Sequence, residues 1–365
     1  MAFKPQTLDE ALNKIEKVRR VRQGKFYLRD ETITMSHGSG GKASHNLIEG
    51  VMAAAFSNPV LDRMDDAAVL SLNGSDMRLA FTTDSFIVSP LFFPGGDIGK
   101  LAVHGTINDL ATSGAEPLAL SLSLILEEGL PISELRRVVN SVKEAAAEAN
   151  VPIVTGDTKV VNRGSADKLF INTAGVGLLK RPFQLSTFNV KPGDKVLLNG
   201  TVGDHGIAVM LARESLEMEL EVVSDTAALH GLVAAILAAV PETHCLKDPT
   251  RGGLATSLNE IAINAEVGIA VTETAVPISS QVRGACEILG LDPLTIANEG
   301  KLIVVVPAAA EAAALAAMQN HPLGKQSRVI GEIIAEPAGM VFLRTEIGGT
   351  RVLDMLVGDP LPRIC

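Results

Sequence analysis

From Ile33 onward, short apolar runs of the strand type alternate with longer stretches whose apolar residues recur at helical spacing. Residues 78–81, 153–154, 169–173 and 196–199 predict strands, and most of them run into Gly, Asp or Thr. Residues 133–150 predict a helix, with Leu135, Val138, Val139 and Val142 on one face and Ser133 as its cap. An apolar strand is expected over 302–306, and the Ala-rich stretch 308–318 predicts a surface helix. Residues 180–194, with Pro182, Pro192 and Gly193, break both periods and predict a domain boundary, beyond which a second α/β unit runs to about Phe342. Ahead of all this, Thr7-Leu8-Asp9-Glu10 has a capping-box pattern, and Leu8, Leu12 and Ile15 share a helical face. The divisions expected are a basic helical extension over 1–32, domains at 33–182 and 183–345, and a tail at 346–365.

Composition narrows this picture. A length of 365 residues suggests two domains, and 47% hydrophobic content with only 3% aromatic and no Trp describes an aliphatic core. No apolar run reaches 18 residues, and the N-terminus lacks the apolar stretch of a secretory signal. Cys245, Cys286 and Cys365 show no metal-ligand spacing, and their odd number fits a reducing cytoplasm better than a disulfide framework. Net charge −10 argues against a general nucleic-acid binder. Residues 1–30 carry eight Lys/Arg against four Asp/Glu, a balance of +4, which leaves −14 for the rest. The basic run Lys17, Arg19, Arg20, Arg22, Lys25 reads as a solvated helix or a partner-binding arm.

The most informative single residue is the last. Cys365 ends a tail, Pro360-Leu361-Pro362-Arg363-Ile364-Cys365, whose prolines favour an extended, semi-stiff arm. At roughly 3.1 Å per residue, residues 354–365 reach on the order of 35 Å, enough to carry a thiol into a pocket and out again. With 3 Cys in 365 residues, a chance terminal Cys is about a one-in-a-hundred event. A prenylation signal is excluded, because that motif places three residues after the Cys. Cys365 is expected to be a carrier thiol.

Acidic and glycine-rich clusters follow the strands. Ser36-His37-Gly38-Ser39-Gly40-Gly41-Lys42 opens a helix and offers unhindered backbone N–H groups of the kind phosphate binding uses, although a flexible turn explains it equally well. Asp65-Asp66-Ala67-Ala68-Val69, Thr82-Thr83-Asp84-Ser85, Asn108-Asp109 and Thr155-Gly156-Asp157-Thr158-Lys159 each put a carboxylate where an element meets a loop. One such Asp is usually a cap or turn residue. Four in one domain suggest converging carboxylates neutralised by Mg²⁺, which bridges them to polyphosphate oxygens.

With Gly-Asp-His-Gly at 203–206, Asp-Pro-Thr-Arg-Gly-Gly at 248–253 and Asn-Glu-Gly-Lys at 298–301, this set resembles the aminoimidazole ribonucleotide synthetase-like ATP-binding superfamily. Within it, the terminal Pro-Arg-Ile-Cys resembles the HypE family of hydrogenase maturation factors. The resemblance runs from about Ile33 to Cys365. It implies two α/β (α+β) domains, the first pairing with its copy in a homodimer through a β-barrel-like interface with ATP at the edge. It implies that the partner HypF, a carbamoyltransferase, loads a carbamoyl group onto the terminal thiol. The S-carboxamide would then be dehydrated with ATP to an S-thiocyanate, and the cyanide passed to an iron centre on HypC and HypD for a [NiFe] hydrogenase.

That chemistry needs Mg²⁺ on the phosphates, a cation over the transferring phosphoryl group and a base near the nitrogen. The metal candidates are Asp66, Asp84, Asp109 and Asp157, with Asp65 in reserve. Lys159 is the candidate phosphoryl contact, and Glu299, just ahead of the apolar strand, the base. His205 could assist as a base, while a capping role for Asp204-His205 fits as well. Ser39, Gly40, Gly41, Lys42, Thr83, Asn108, Asp204, Asp248 and Arg251 are the candidate ATP or phosphate contacts. Cys245 and Cys286 are expected as buried apolar fillers. Two other readings remain open: a superfamily kinase or synthetase for a free small molecule, which needs no mobile thiol, and a nucleotide-gated interaction module, which needs no turnover.

Overall fold

The computed structural model describes residues 30–72, 77–181, 184–213, 220–358, 361 and 363–365. The cap pattern at 7–10 and the basic run lie outside the described residues. The first half contains α1 (Lys42–Leu47), β1 (Ala68–Ser71), β2 (Arg78–Phe86), the short pair β3 (Phe92–Phe93) and β4 (Gly96–Asp97), α2 (Ile98–Thr112), β5 (Glu116–Glu127), α3 (Ile132–Glu148), β6 (Ile153–Val161) and β7 (Leu169–Leu179). Its five-stranded sheet has the order β1-β2-β7-β5-β6. Neighbours are antiparallel except β5 and β6, which α3 joins as a parallel crossover.

Burial along β7 alternates at every residue, the mark of a sheet with one covered face. Helix α2 lies on that face, and Ile98, Leu101, Val103, Ile107 and Leu110 are fully buried. Among the described residues, Leu70, Phe81 and Ile125 stand exposed on the opposite face. Beside them, Asp157 and Lys159 on the edge strand β6 pair in register with Ser123 and Ile125.

The second half contains β8 (Lys195–Leu198), α4 (Asp204–Leu211), α5 (His230–Ala239), β9 (Cys245–Lys247), α6 (Gly253–Asn264), β10 (Gly268–Thr272), α7 (Ser280–Leu289), β11 (Ile303–Val306), α8 (Glu311–Asn320), β12 (Arg328–Ile334), β13 (Met340–Arg344) and β14 (Thr350–Leu353). Its seven strands run β14-β13-β10-β12-β8-β11-β9. Helices cover both faces, so β11 is buried at every position and reads as an unbroken apolar run. Val196, Leu198, Ile303 and Val305 pack toward α6, while Leu197, Val304 and Val306 pack toward α5 and α8. Among the described residues no helix is long and apolar enough to cross a membrane.

Three expectations need correction. The helix expected over 133–150 begins at Ile132 with Pro131 at the cap position, so Ser133 sits inside the first turn and caps nothing. Its packed stripe is Val138, Ser141, Val142, Ala145 and Ala146, and Val139 points to solvent. The Ala-rich helix is not all surface, because Ala310, Ala314 and Met318 are buried. Most consequential, the end of the tail is docked. Leu361 and Ile364 join Phe86, Val88 and Ile171 of the first half and Ile207, Val282 and Ile296 of the second in one apolar core. Burying a side chain of that size is worth about 1.5–3 kcal/mol. Ile364 also forms an isolated antiparallel bridge with Val88, with Ile87 N donating to Cys365 O at 3.1 Å and Ser89 N to Arg363 O at 3.2 Å.

Candidate active site

The acidic residues converge where the halves meet, and strand alternation decides which take part. In β2, Thr82, Asp84 and Phe86 face α2. The Phe86 ring lies where a side chain on Gly105 would stand, 2.9 Å from its ideal Cβ, and Asp84 Oδ2 is 3.7 Å away. Thr82 Oγ1 lies within hydrogen-bond distance of Asp109 Oδ2, at 2.9 Å, and of the Asp66 carbonyl, at 3.1 Å. Thr83 points the other way, bonded to the Thr173 carbonyl and to Asn172. Thr82, one residue from the expected position, is therefore the one that belongs to the cluster.

From the second half come Lys247, Asp248, Arg251 and the loop at 298–301. Lys247 Nζ lies 2.5 Å from Asp66 Oδ1 and 3.1 Å from Glu260 Oε2, an ion triad that ties β9 to the first domain. Asn298 accepts from Gly203 N at 2.8 Å and donates to the Pro249 carbonyl at 2.8 Å, which fixes the loop. Gly300 must be glycine, since an added Cβ would come within 1.9 Å of Asp225 O. Lys301 Nζ pairs with Asp225 Oδ2 at 3.1 Å, and Asp225 Oδ1 accepts from Glu299 N at 3.1 Å. Glu299 itself is 3% exposed, and its Oε1 has no hydrogen-bond partner among the described residues.

Electrostatics record the crowding. Burial, then the charges of Asp248, Asp84 and Asp66, push Asp109 well above the usual carboxylate range. Burial and Asp66 raise Asp248 to about 7, against the pull of Lys247. Burial, followed by Asp225, Asp248 and Asp84, raises Glu299 well above its ordinary value, with Arg251 opposing. Asp84 is raised by burial, again with Arg251 opposing. Among the described residues no three His, Cys, Asp or Glu side chains stand close enough to cage a bare metal ion. The donor set suits a hydrated hard cation that takes its remaining ligands from phosphate oxygens.

The tail delivers Cys365 into this place. Its thiol is pushed well above the ordinary thiol range, first by burial and then by the Glu299 charge, against the pull of Arg251. A cavity of about 160 Å³ opens beside it, lined by Ser39, Ser85, Arg251, Thr295 and Cys365 among others. The glycine-rich turn forms one wall through close packing. A Cβ on Gly40 would come 2.4 Å from Arg251 Cβ, and one on Gly41 would come 2.2 Å from Leu356 O.

Several expected contacts lie elsewhere. Gly40 N bonds to Ser44 Oγ, Gly41 N to Ser39 Oγ and Lys42 N to Leu356 O, so this turn spends its N–H groups on itself and the tail. Asn108 is also spent, donating to Ala227 O and Glu299 O and accepting from Leu229 N. Asp65 turns away to Ser186 and Arg63. Asp157 and Lys159 are exposed and pair with each other at 2.5 Å. Asp204 is held by Thr201 and Ser279. His205 is fully buried with both ring nitrogens engaged, by Ser224 Oγ at 2.9 Å and Ile364 O at 2.8 Å, so it faces the tail backbone and neither caps nor reaches the reacting groups as a base. Sequence reasoning assigned no role to Asp225, Lys247 or Lys301. Lys301 was visible in its motif, but nothing local to Asp225 or Lys247 marks them. Cys245 and Cys286 are buried fillers as expected.

Comparison with known proteins agrees with this fold. Residues 64–179 match the AIR synthase related protein N-terminal domain and residues 191–344 its C-terminal domain. The chain is 53% identical over 333 residues to the carbamoyl dehydratase HypE of Cupriavidus necator, covering 91% of this chain and 95% of that one. The chain belongs to the HypE family. A HypE–HypF complex superposes with a TM-score of 0.80 at 47% identity, over 85% of this chain and 99% of the other. HypE in complex with ATP superposes at 0.77 with 48% identity, over 92% and 100%. The two-domain fold anticipated from the motifs is thus the fold of the HypE family.

The crowding has a sign that can be measured. Asp109, Asp248 and Glu299 carry raised folded values, so the folded protein binds protons more tightly than the unfolded chain. Their contribution to stability is fully present below about pH 4 and is lost as pH rises through the folded values, about 7 for Asp248. Thermal melts in EDTA should show this component of stability falling from pH 5 to pH 8, and Asp248→Asn should flatten the fall. A melt profile identical in that variant would contradict the assignment.

Proposed function

We propose that this chain is an ATP-dependent carbamoyl dehydratase acting on its own terminus, converting the S-carboxamide of Cys365 to an S-thiocyanate for hydrogenase maturation. The observation that carries the reading is the Cys365 thiol seated beside Glu299, with Arg251 and Asp84 among its nearest charges. A group carried on that sulfur would lie against a buried carboxylate with an unpartnered oxygen.

The chemistry balances. Transfer of the terminal phosphoryl of ATP to the carboxamide oxygen turns a poor leaving group into phosphate. Loss of the nitrogen's two protons and of that phosphate then leaves a C≡N triple bond. Glu299, raised by burial, is suited to accept a proton in a dry site, and Arg251 to balance charge on the oxygen that leaves. Asp84, Asp109 and Asp248 are suited to hold Mg²⁺, which supplies charge neutralisation on the phosphates when bound. The crowded carboxylates support this, since Asp248 and Asp84 raise the proton affinity of Asp109 and Asp84 that of Asp248.

HypF is the proposed carbamoyl donor and a HypC–HypD iron complex the proposed acceptor of cyanide. In the docked position the raised thiol is a poor nucleophile, so loading calls for a released tail. The sheet face on which Leu70, Phe81 and Ile125 stand exposed supports a homodimer, in which Asp157 and Lys159 would serve the site of the second copy. A docked thiol also fits neither a synthetase for free small molecules nor a module without turnover.

Glu299→Gln should accept the carbamoyl group yet stall at about +43 Da on the C-terminal peptide where the wild type proceeds to about +25 Da, with a rate loss of roughly 10²–10⁴. Cys365→Ser should show neither mass. A Glu299→Gln protein reaching the lower mass at the wild-type rate would remove Glu299 from the mechanism. Separately, Phe81→Asp should weaken self-association by at least about tenfold in sedimentation, because it buries a charge in an apolar face. Unchanged association would place the interface elsewhere.

A further inference from the structure

The docked tail is held by its main chain from both domains. Among the described residues, the main-chain oxygens of 363, 364 and 365 all accept hydrogen bonds. Ser89 N and an Arg213 guanidinium nitrogen donate to Arg363 O at 3.2 Å each, and Ile87 N donates to Cys365 O at 3.1 Å. Arg213 Nε also donates to Ser89 O at 3.0 Å, tying the segment the tail pairs with to the same guanidinium. The remaining carbonyl, that of Ile364, is met by His205 Nε2 at 2.8 Å.

The His205 geometry fixes its tautomer. A carbonyl only accepts, so Nε2 carries the proton and Nδ1 is the acceptor. Ser224 Oγ, 2.9 Å from Nδ1, must then donate its hydroxyl hydrogen, and it is free to do so because it accepts from Thr226 N at 3.2 Å. The ring also packs edge-on to Phe93, with centroids 5.4 Å apart at 82°. The next residue of the same strap, Asp225, holds the Glu299 backbone. One short segment therefore supports both the group that grips the tail and the group that faces the thiol.

We infer that His205 is a latch that holds the C-terminal arm docked, a positioning residue for Cys365, with Ser224 setting the tautomer that makes the grip possible. This rests on the reading of Cys365 as the thiol that carries the reacting group. Burial keeps the imidazole proton affinity below its ordinary value, in keeping with a neutral ring.

The test uses the full chain with His205→Leu, His205→Gln and Ser224→Ala. Without ATP, the rate of Cys365 alkylation by iodoacetamide is followed by mass spectrometry of the C-terminal peptide, with buried Cys245 and Cys286 as internal controls. Loss of the latch in His205→Leu should raise that rate about tenfold, the change expected for one buried hydrogen bond. His205→Gln, whose amide nitrogen stands near the place of Nε2, should stay within about threefold of wild type in alkylation and in conversion of the S-carboxamide. Ser224→Ala should fall between. A wild-type alkylation rate in His205→Leu would overturn the latch, as would a His205→Gln protein that protects the thiol normally yet stalls at the S-carboxamide. If His205→Leu also exposes Cys245 and Cys286 it has unfolded, and Ser224→Ala then decides, an unchanged rate counting against the proposal. A wild type that never converts the S-carboxamide would refute the dehydratase reading, while the alkylation rates would still judge the latch.

Discussion

Negative charge gathered in a dry seam is the constraint around which this protein is built. Asp84 and Asp109 approach from one domain and Asp248 and Glu299 from the other, and Asp84 and Asp248 raise the proton affinity of both Asp109 and Glu299. Water would dissolve the conflict, but the apolar core at the seam keeps it away. Lys247 is committed to Asp66 and Glu260, while Arg251 and Arg363 line the cavity. A seam short of positive charge would suit the proposed metal–polyphosphate complex, to which both halves would contribute residues.

The tail enters the same seam and changes its own chemistry by doing so. Outside, a terminal thiol ionises near its ordinary value and can attack a carbamoyl donor. Inside, burial and the Glu299 charge hold it protonated. Once the sulfur bears a neutral carboxamide, that objection to docking disappears. On the proposed reading, loading and dehydration would be separated by the position of one short arm, without a second active site.

Much of this was legible in the sequence, for local reasons. Asp84 lies near the end of β2, Asp109 in the last turn of α2, and Asp248 and Glu299 in loops beside strands, and an arm ending in Cys marks itself. What stayed hidden depended on direction or distance. Thr82 and Thr83 are adjacent in sequence and opposite in the sheet, and only the strand's register tells which meets Asp109. Asp157 and Asp66 were both expected as metal ligands, yet one lies on an exposed edge strand and the other is paired with Lys247. His205 follows an Asp at a helix start, which reads as a cap or a base, because its partner lies 159 positions further along the chain. The tail was expected to be mobile from its prolines, and the apolar side chains of Leu361 and Ile364 are what dock it.

The claim that everything else serves is that ATP acts on the oxygen of a group carried by Cys365. Protein loaded with an ¹⁸O-labelled carbamoyl group, given Mg·ATP for a single turnover, tests it directly by mass analysis of the phosphate released. The label should appear in inorganic phosphate, one atom for each thiocyanate formed. Label released into water, with unlabelled phosphate, would contradict the account.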